Sequence, residues 1–212
     1  LGVVVMAMLA YPLSRPNYKY KKIATFFIFF TMLFSGGLVP TYIWITRYLH
    51  LGDTIWVYIL PCLVNAFHVI VIRSFFQGLP QALMESAKID GASELQTFFK
   101  IVMPLSKPVI ATISLLTLLS RWNDWNTALI YIKSSNLYSL QYLLQKILRE
   151  AEFVKNMAES SPVAGVDLDL SNLPSVTIRF AMCMVAAGPM LIIFPFFQKY
   201  FAKGLTVGAV KG

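Results

Sequence analysis

Residues 23–46 read IATFFIFFTMLFSGGLVPTYIWIT, a run without one formal charge. About 20 mostly apolar residues suffice to cross a bilayer, so this stretch is long enough to span. Gly36, Gly37 and Pro40 interrupt it, and such breakers are tolerated in membranes because neighbouring helices satisfy the freed carbonyls. Working outward, Thr54–Ile72 carries no charge unless His68 is protonated. Pro108–Ile132 is long enough with Arg121 and Asp124 embedded, and Phe180–Gln198 is uncharged. Four complete spans are therefore expected. Leu1–Leu13 is apolar but too short to cross; it reads as the second half of a fifth helix whose first half precedes Leu1. No basic stretch precedes it, which argues against a signal peptide.

The whole chain fits this reading. Of its 212 residues 57% are apolar and only 13% charged, whereas a soluble domain is nearer half apolar and a quarter charged. Disorder and a disulfide scaffold are excluded on the same grounds. Cys62 and Cys183 lie inside apolar runs and read as small core hydrophobes. The net charge of +8 suggests cytoplasmic basic loops rather than nucleic acid. One side of the membrane would hold Arg15, Lys19, Lys21, Lys22, Arg73, Lys88, Lys100, Lys107, Lys199, Lys203 and Lys211; the other, only Arg47, Lys133, Lys146, Arg149 and Lys155. Basic loops stay inside, so 14–22, 78–107 and 199–212 are expected in the cytoplasm and 47–53 and 133–175 outside. The predicted class is all-α, a polytopic membrane helix bundle, with residues 1–212 forming one transmembrane domain.

The cytoplasmic stretch 78–107 is the most informative. Gly78-Leu79-Pro80 ends the preceding span, and Gln81–Asp90 has no breaker and reads as a short helix. Gly91 stands where a helix would end on a positive φ. Ser93 and Gln96 form a capping box that starts a second helix. Leu95, Phe98, Phe99 and Val102 at i, i+3, i+4, i+7 give that helix one apolar face, and Pro104 and Pro108 end it. A helix, glycine turn and helix of this kind suits docking to another protein or resting on lipid.

The stretch Glu85-Ser86-Ala87-Lys88-Ile89-Asp90-Gly91-Ala92, followed after eight residues by Ile101-Val102-Met103-Pro104, resembles the EAA loop of ABC-importer permeases, E-A-A-x-x-D-G-A-x8-I-x-L-P. It departs at Ser86 and Met103. Ser35-Gly36-Gly37-Leu38-Val39-Pro40, Trp122-Asn123-Asp124-Trp125 and the ending from Lys203-Gly204-Leu205 to Gly212 are similar to carbohydrate-importer permeases of the maltose type, and nearer the branch handling acidic oligosaccharides such as alginate- or pectin-derived sugars. The resemblance implies a type I importer in a bacterial cytoplasmic membrane. Its pathway would be formed with a second, different permease subunit and driven by an ABC ATPase dimer carrying ATP-Mg, with oligosaccharide delivered by an extracytoplasmic solute-binding protein. By position, Glu85, Ser86, Ala87, Asp90, Gly91 and Ala92 would dock on the ATPase, with Glu85 against a basic residue. It also implies one further helix, and half of another, before Leu1.

Arg121 and Asp124 lie three apart on one helical face, which favours a local pair; a membrane-buried arginine alternatively faces an aqueous cavity and would attract an acidic sugar. Trp122, Trp125 and Asn126 suit sugar stacking and hydrogen bonding, or interface anchoring. Asn65 and His68 suit helix–helix hydrogen bonds or ligand contact. Leu140, Leu143, Leu144, Ile147 and Leu148 form a helical stripe within 133–175, expected to lie on the outer surface as a landing site for the binding protein, with a flexible loop over 158–172. No phosphate-cradling Gly-rich loop ending in Lys-Ser/Thr, no metal-ligand cluster and no nucleophile elbow occurs. The chain is expected to bind no metal or cofactor and to hydrolyse no ATP itself. The rival reading is an ATPase-independent secondary transporter or channel subunit, which would also use broken helices and buried charges.

Overall fold

The structure, a computed structural model, describes residues 1–160 and 176–209. All regular elements among them are helical: α1 (Gly2–Ser14), α2 (Lys21–Leu33), α3 (Leu38–Ile43), α4 (Trp56–Ile59), α5 (Ala66–Gln77), α6 (Gln81–Ile89), α7 (Glu94–Thr97), α8 (Met103–Leu105), α9 (Lys107–Trp122), α10 (Asn126–Tyr131), α11 (Leu140–Ser160) and α12 (Val176–Ala209). A π turn, Trp44–Tyr48, extends α3, and a second, Phe98–Val102, joins α7 to α8.

The core forms around α1. Met6, Ala7, Ala10 and Tyr11 pack against Val69, Ile72 and Phe76 of α5, Phe98 and Val102 of the second π turn, and Val109 and Ile113 of α9. Ala7 and Ala10 are fully buried, and a Cβ on Gly2 would stand 3.2 Å from the Leu63 carbonyl. Small residues let membrane helices approach closely, where packing rather than water drives association. Arg15 precedes Pro16 and takes an extended conformation (φ −74°, ψ 136°), ending α1. Proline disfavours a helical predecessor for steric reasons.

Three of the four expected spans are broken rather than straight. Phe180–Gln198 is the one helix among the described residues that is by itself long and apolar enough to cross, and counting each bent pair as one span gives up to four. The run 23–46 bends by 113° between Lys21–Leu33 and Leu38–Tyr48, with Phe34 extended and Gly37 at φ +85°. The second run bends by 44° between Trp56–Cys62 and Ala66–Gln77. The third bent pair is Glu94–Leu105 with Lys107–Trp122, at 81°, and differs from the expected run 108–132, whose helix ends at Trp122 and restarts at Asn126. α9 itself has 16 residues, about 24 Å at 1.5 Å per residue.

α2 buries none of its side chains; Phe26, Phe27, Phe30 and Phe34 are exposed. Met184, Leu191 and Ile192 of α12 are exposed too, and so is Cys183, which lies on the surface of α12 and not in a core as expected. Apolar surface on this scale is made for lipid or for another subunit.

At the other end of the molecule, Asp53 clasps two segments. Its carboxylate accepts from the Lys133 and Ser134 amides, both at 2.9 Å, and from the Ser134 hydroxyl at 2.6 Å. Its own amide donates to the Tyr131 carbonyl. These donors, the Ser134 hydroxyl first, hold the carboxyl below its usual range. Ile45, Val57 and Ile132 pack beneath. α11 forms as expected and continues to Ser160, so residues 158–160 of the expected loop are helical. Residues 161–175 lie outside the described residues, as do 210–212 of the C-terminal stretch. From Lys199 to Ala209 that stretch continues α12.

Candidate functional site

The hairpin of α6 and α7 is built from local signals in series. Pro80 precedes α6, whose end is sealed by two backbone bonds: Gly91 N–H to Lys88 C=O at 3.1 Å and Ala92 N–H to Ala87 C=O at 2.9 Å. This is the Schellman pattern, which requires a left-handed residue between the two. Gly91 supplies it with φ +78°, and nothing lies within 4 Å of where its Cβ would be. Ala87, Asp90, Gly91 and Ala92 are thus the parts of one turn. Ser93 then caps α7: the Gln96 amide donates to its hydroxyl at 3.3 Å, and its own amide donates to Gln96 Oε1 at 2.9 Å.

What the hairpin presents is as informative as how it turns. Ala87 is buried, while Glu85, Ser86 and Asp90 are exposed, and Glu85 has no ion-pair partner among the described residues. Ile89, at the tip, is 86% exposed, and Leu95 and Phe99 are exposed beside it. This corrects the expected apolar face. Phe98 and Val102 are buried, but the π turn widens the helix between them and leaves Leu95 and Phe99 outside. Pro104 does not end the helix either; it sits in the first turn of α8, where its missing N–H costs nothing.

Glu94 was not singled out by the sequence, and it joins the hairpin to α1. Its carboxylate accepts from the Tyr11 hydroxyl at 2.7 Å and pairs with Lys88 at 3.2 Å and Arg15 at 3.6 Å. Arg15 donates to Tyr11 Oη and to Met84 Sδ, and its guanidinium lies over the Tyr11 ring. The Tyr11 ring meets Phe98 with centroids 5.1 Å apart. Tyr11, Arg15, Tyr18, Met84, Lys88 and Glu94 line a cavity of about 620 Å³ between α1 and the hairpin. Glu94 lies in the first turn of α7, where acidic residues are common; nothing local marks its pairing with Tyr11.

A second cluster forms where two broken spans meet. Arg121 Nη1 donates to Asp124 Oδ2 at 3.1 Å, the local pair the spacing suggested, and to Cys62 Sγ of the other break at 2.6 Å. Asp124 also accepts from the Thr127 amide and hydroxyl, fixing the start of α10. Trp122 Nε1 donates to the Ala186 carbonyl of α12 at 2.7 Å, and the Arg149 guanidinium covers the Trp125 ring at 5.3 Å. Asn126 is exposed. Asn65 is not a helix–helix bond here: its side chain accepts from the His68 amide and caps α5. The His68 Nδ1 is buried without a hydrogen-bond partner among the described residues. No group of three His, Cys, Asp or Glu side chains able to hold a metal occurs among the described residues.

The family model described as "Binding-protein-dependent transport system inner membrane component" matches residues 3–207. The polygalacturonan/rhamnogalacturonan transport system permease protein YtcP of Bacillus subtilis is 40% identical over 218 residues, covering 100% of this chain and 72% of the relative. Protein LplC of the same organism is 42% identical over 204 residues, covering 96% of this chain and 66% of the relative. Among solved structures, a bacterial ABC transporter involved in the import of the acidic polysaccharide alginate superposes with a TM-score of 0.79 at 31% identity. It covers 94% of this chain and 69% of that one.

Proposed function

We propose that this chain, which belongs to the family of binding-protein-dependent transport system inner membrane components, passes acidic oligosaccharide through the membrane as one of two different permease subunits of an ABC importer. It is a multi-pass protein of a bacterial cytoplasmic membrane. ATP-Mg is bound and hydrolysed by a partner ATPase dimer, and a solute-binding protein delivers the sugar from outside. The observation that carries the reading is the hairpin. Its Schellman turn holds an unpaired Glu85 and a bare Ile89 outward, with the charge and the apolar surface that a docked ATPase would cover. The choice of an acidic sugar rests on the relatives named for polygalacturonan and alginate and on Arg121 in the membrane.

Reconstitution tests this. The chain with its partner permease, ATPase and binding protein in liposomes is expected to take up oligogalacturonate only with ATP, and hydrolysis is expected to rise when loaded binding protein is added. Uptake without ATPase subunits would favour the secondary-transporter reading, which the broken helices also suit. Sidedness has its own check. Single cysteines at Lys88 and Ser160 are expected to react with an impermeant maleimide from the cytoplasmic and outer sides respectively; both reacting from outside would overturn the topology.

A further inference from the structure

Lys19, Lys21 and Lys22 stand together where the chain enters α2, and none of residues 1–52 is acidic. None of the three lysines has an ion-pair partner among the described residues. Arg15, the other basic residue of this loop, is already engaged by Glu94. Lys21 and Lys22 occupy the first turn of α2, which holds no acidic residue and no side-chain cap. Cations are disfavoured at that end of a helix, so the fold gains nothing from them there. The helix they introduce is bare. Lys22, Phe26, Phe29 and Leu33 fall at i, i+4, i+7 and i+11 and share one face, and all four are exposed. From Lys22 to Leu33 that face runs about 16 Å, the depth of one leaflet of a hydrocarbon layer about 30 Å thick. Tyr18 and Tyr20, both exposed, flank the lysines with their rings edge to face at 6.2 Å, and the Lys19 ammonium lies 6.0 Å from the Tyr20 ring centroid. Tyrosine collects at the headgroup level of a bilayer. A protein partner fits less well, because lysine is depleted from protein interfaces.

We propose that Lys19, Lys21 and Lys22 bind the phosphate headgroup of an anionic phospholipid whose acyl chain lies along Phe26, Phe29 and Leu33. Lysines next to a membrane-spanning helix attract anionic lipid, and their long apolar stems let the ammonium reach the headgroup while the helix stays in hydrocarbon. The unbalanced charge at the end of the bare face selects the headgroup, and the face itself takes the chain. The site concerns the lipid around the permease and is independent of the sugar and of the ATPase.

The test uses the complete importer in nanodiscs of equimolar phosphatidylglycerol and phosphatidylcholine, with a photoreactive phenylalanine analogue placed at Phe26, one turn from Lys22. Mass spectrometry after illumination reads what lies on the face. Cross-links to phosphatidylglycerol are expected to exceed those to phosphatidylcholine about tenfold. Lys19→Gln, Lys21→Gln and Lys22→Gln combined are expected to bring the ratio close to one, whereas arginine at the same three positions is expected to keep it. Added salt is expected to lower the ratio, since exposed charges are screened. Cross-links chiefly to protein, whether to a partner subunit or to another part of this chain, overturn the site. So do equal yields with the two lipids, or a preference that survives the triple change. If the triple variant does not reach the membrane, Lys22→Gln alone and added salt decide: both should lower the preference, and a ratio that neither changes overturns the site.

Discussion

A Gly91→Val permease is expected to reach the membrane and yet lose the stimulation of ATP hydrolysis by loaded binding protein, falling to the basal rate. Gly91 has φ +78°. A left-handed residue costs an ordinary side chain about 1–2 kcal/mol, and a β-branched one is a worse misfit. Relaxing the backbone would break the two bonds that close α6, at about 1 kcal/mol each. The strain is confined to the hairpin, away from the α1–α5–α9 core. Space is not the difficulty, since nothing stands within 4 Å of a Cβ at this site. Gly91→Asn, which tolerates the left-handed region, is therefore expected to keep much of the coupling. Glu85→Lys tests the docking surface without touching the turn. Glu85 is exposed, so the change leaves folding alone, and under the proposed docking it would set two cations face to face across the ATPase interface. Wild-type stimulation in both Gly91→Val and Glu85→Lys would show that the hairpin does not transmit ATP binding.

The hairpin was legible in the sequence because each of its determinants acts within six residues: Pro80 at the start, Gly91 at the turn, the Ser93–Gln96 box beyond it. The same locality made the Arg121–Asp124 pair readable. What escaped depends on distance. Tyr11 and Glu94 are 83 residues apart, and Asp53 and Ser134 are 81 apart; hydrogen bonds over such separations leave no periodic trace. The apolar runs foretold that the chain crosses a membrane, and Gly36, Gly37 and Pro40 marked the first run for the break found there. Hydropathy measures transfer from water, so it gave neither the bend angle nor the break at Asn123. Leu95 and Phe99 were misread for a related reason. The i, i+3, i+4 rule assumes an α-helix, and the π turn from Phe98 to Val102 shifts the register midway.

The junction between α1 and the hairpin should be as sensitive as the turn. Glu94→Lys would place a third cation beside Arg15, whose side chain is 20% exposed, and Lys88, which is 65% exposed. It also takes away the acceptor of the Tyr11 hydroxyl. The Lys88 pair is exposed enough to matter little. Stranding Arg15 in a half-buried site beside a like charge costs more, and we expect a total of about 3 kcal/mol, roughly a hundredfold shift away from the docked hairpin. ATPase binding should survive, because Glu85 and Ile89 are untouched, but motion of the hairpin would no longer reach α1 and stimulated hydrolysis would fall accordingly. A double-mutant cycle of Tyr11→Phe and Glu94→Gln, read by stimulation, is expected to show less loss in the double variant than the sum of the singles; strict additivity would mean that the two residues do not act together. Acidity gives a separate handle. The Tyr11 hydrogen bond first, then Lys88 and Arg15, hold the Glu94 carboxyl below its ordinary value of 4.5. A carboxyl depressed on folding stabilises fully above its unfolded value and loses that contribution as pH falls through the folded one. Hydrogen exchange across 81–105 in the purified protein should therefore speed up as pH drops below 4.5, beyond the intrinsic change in exchange rate. In Glu94→Gln, where no carboxyl titrates, that extra step should be missing; its persistence there would place the acid-sensitive anchor elsewhere in the hairpin.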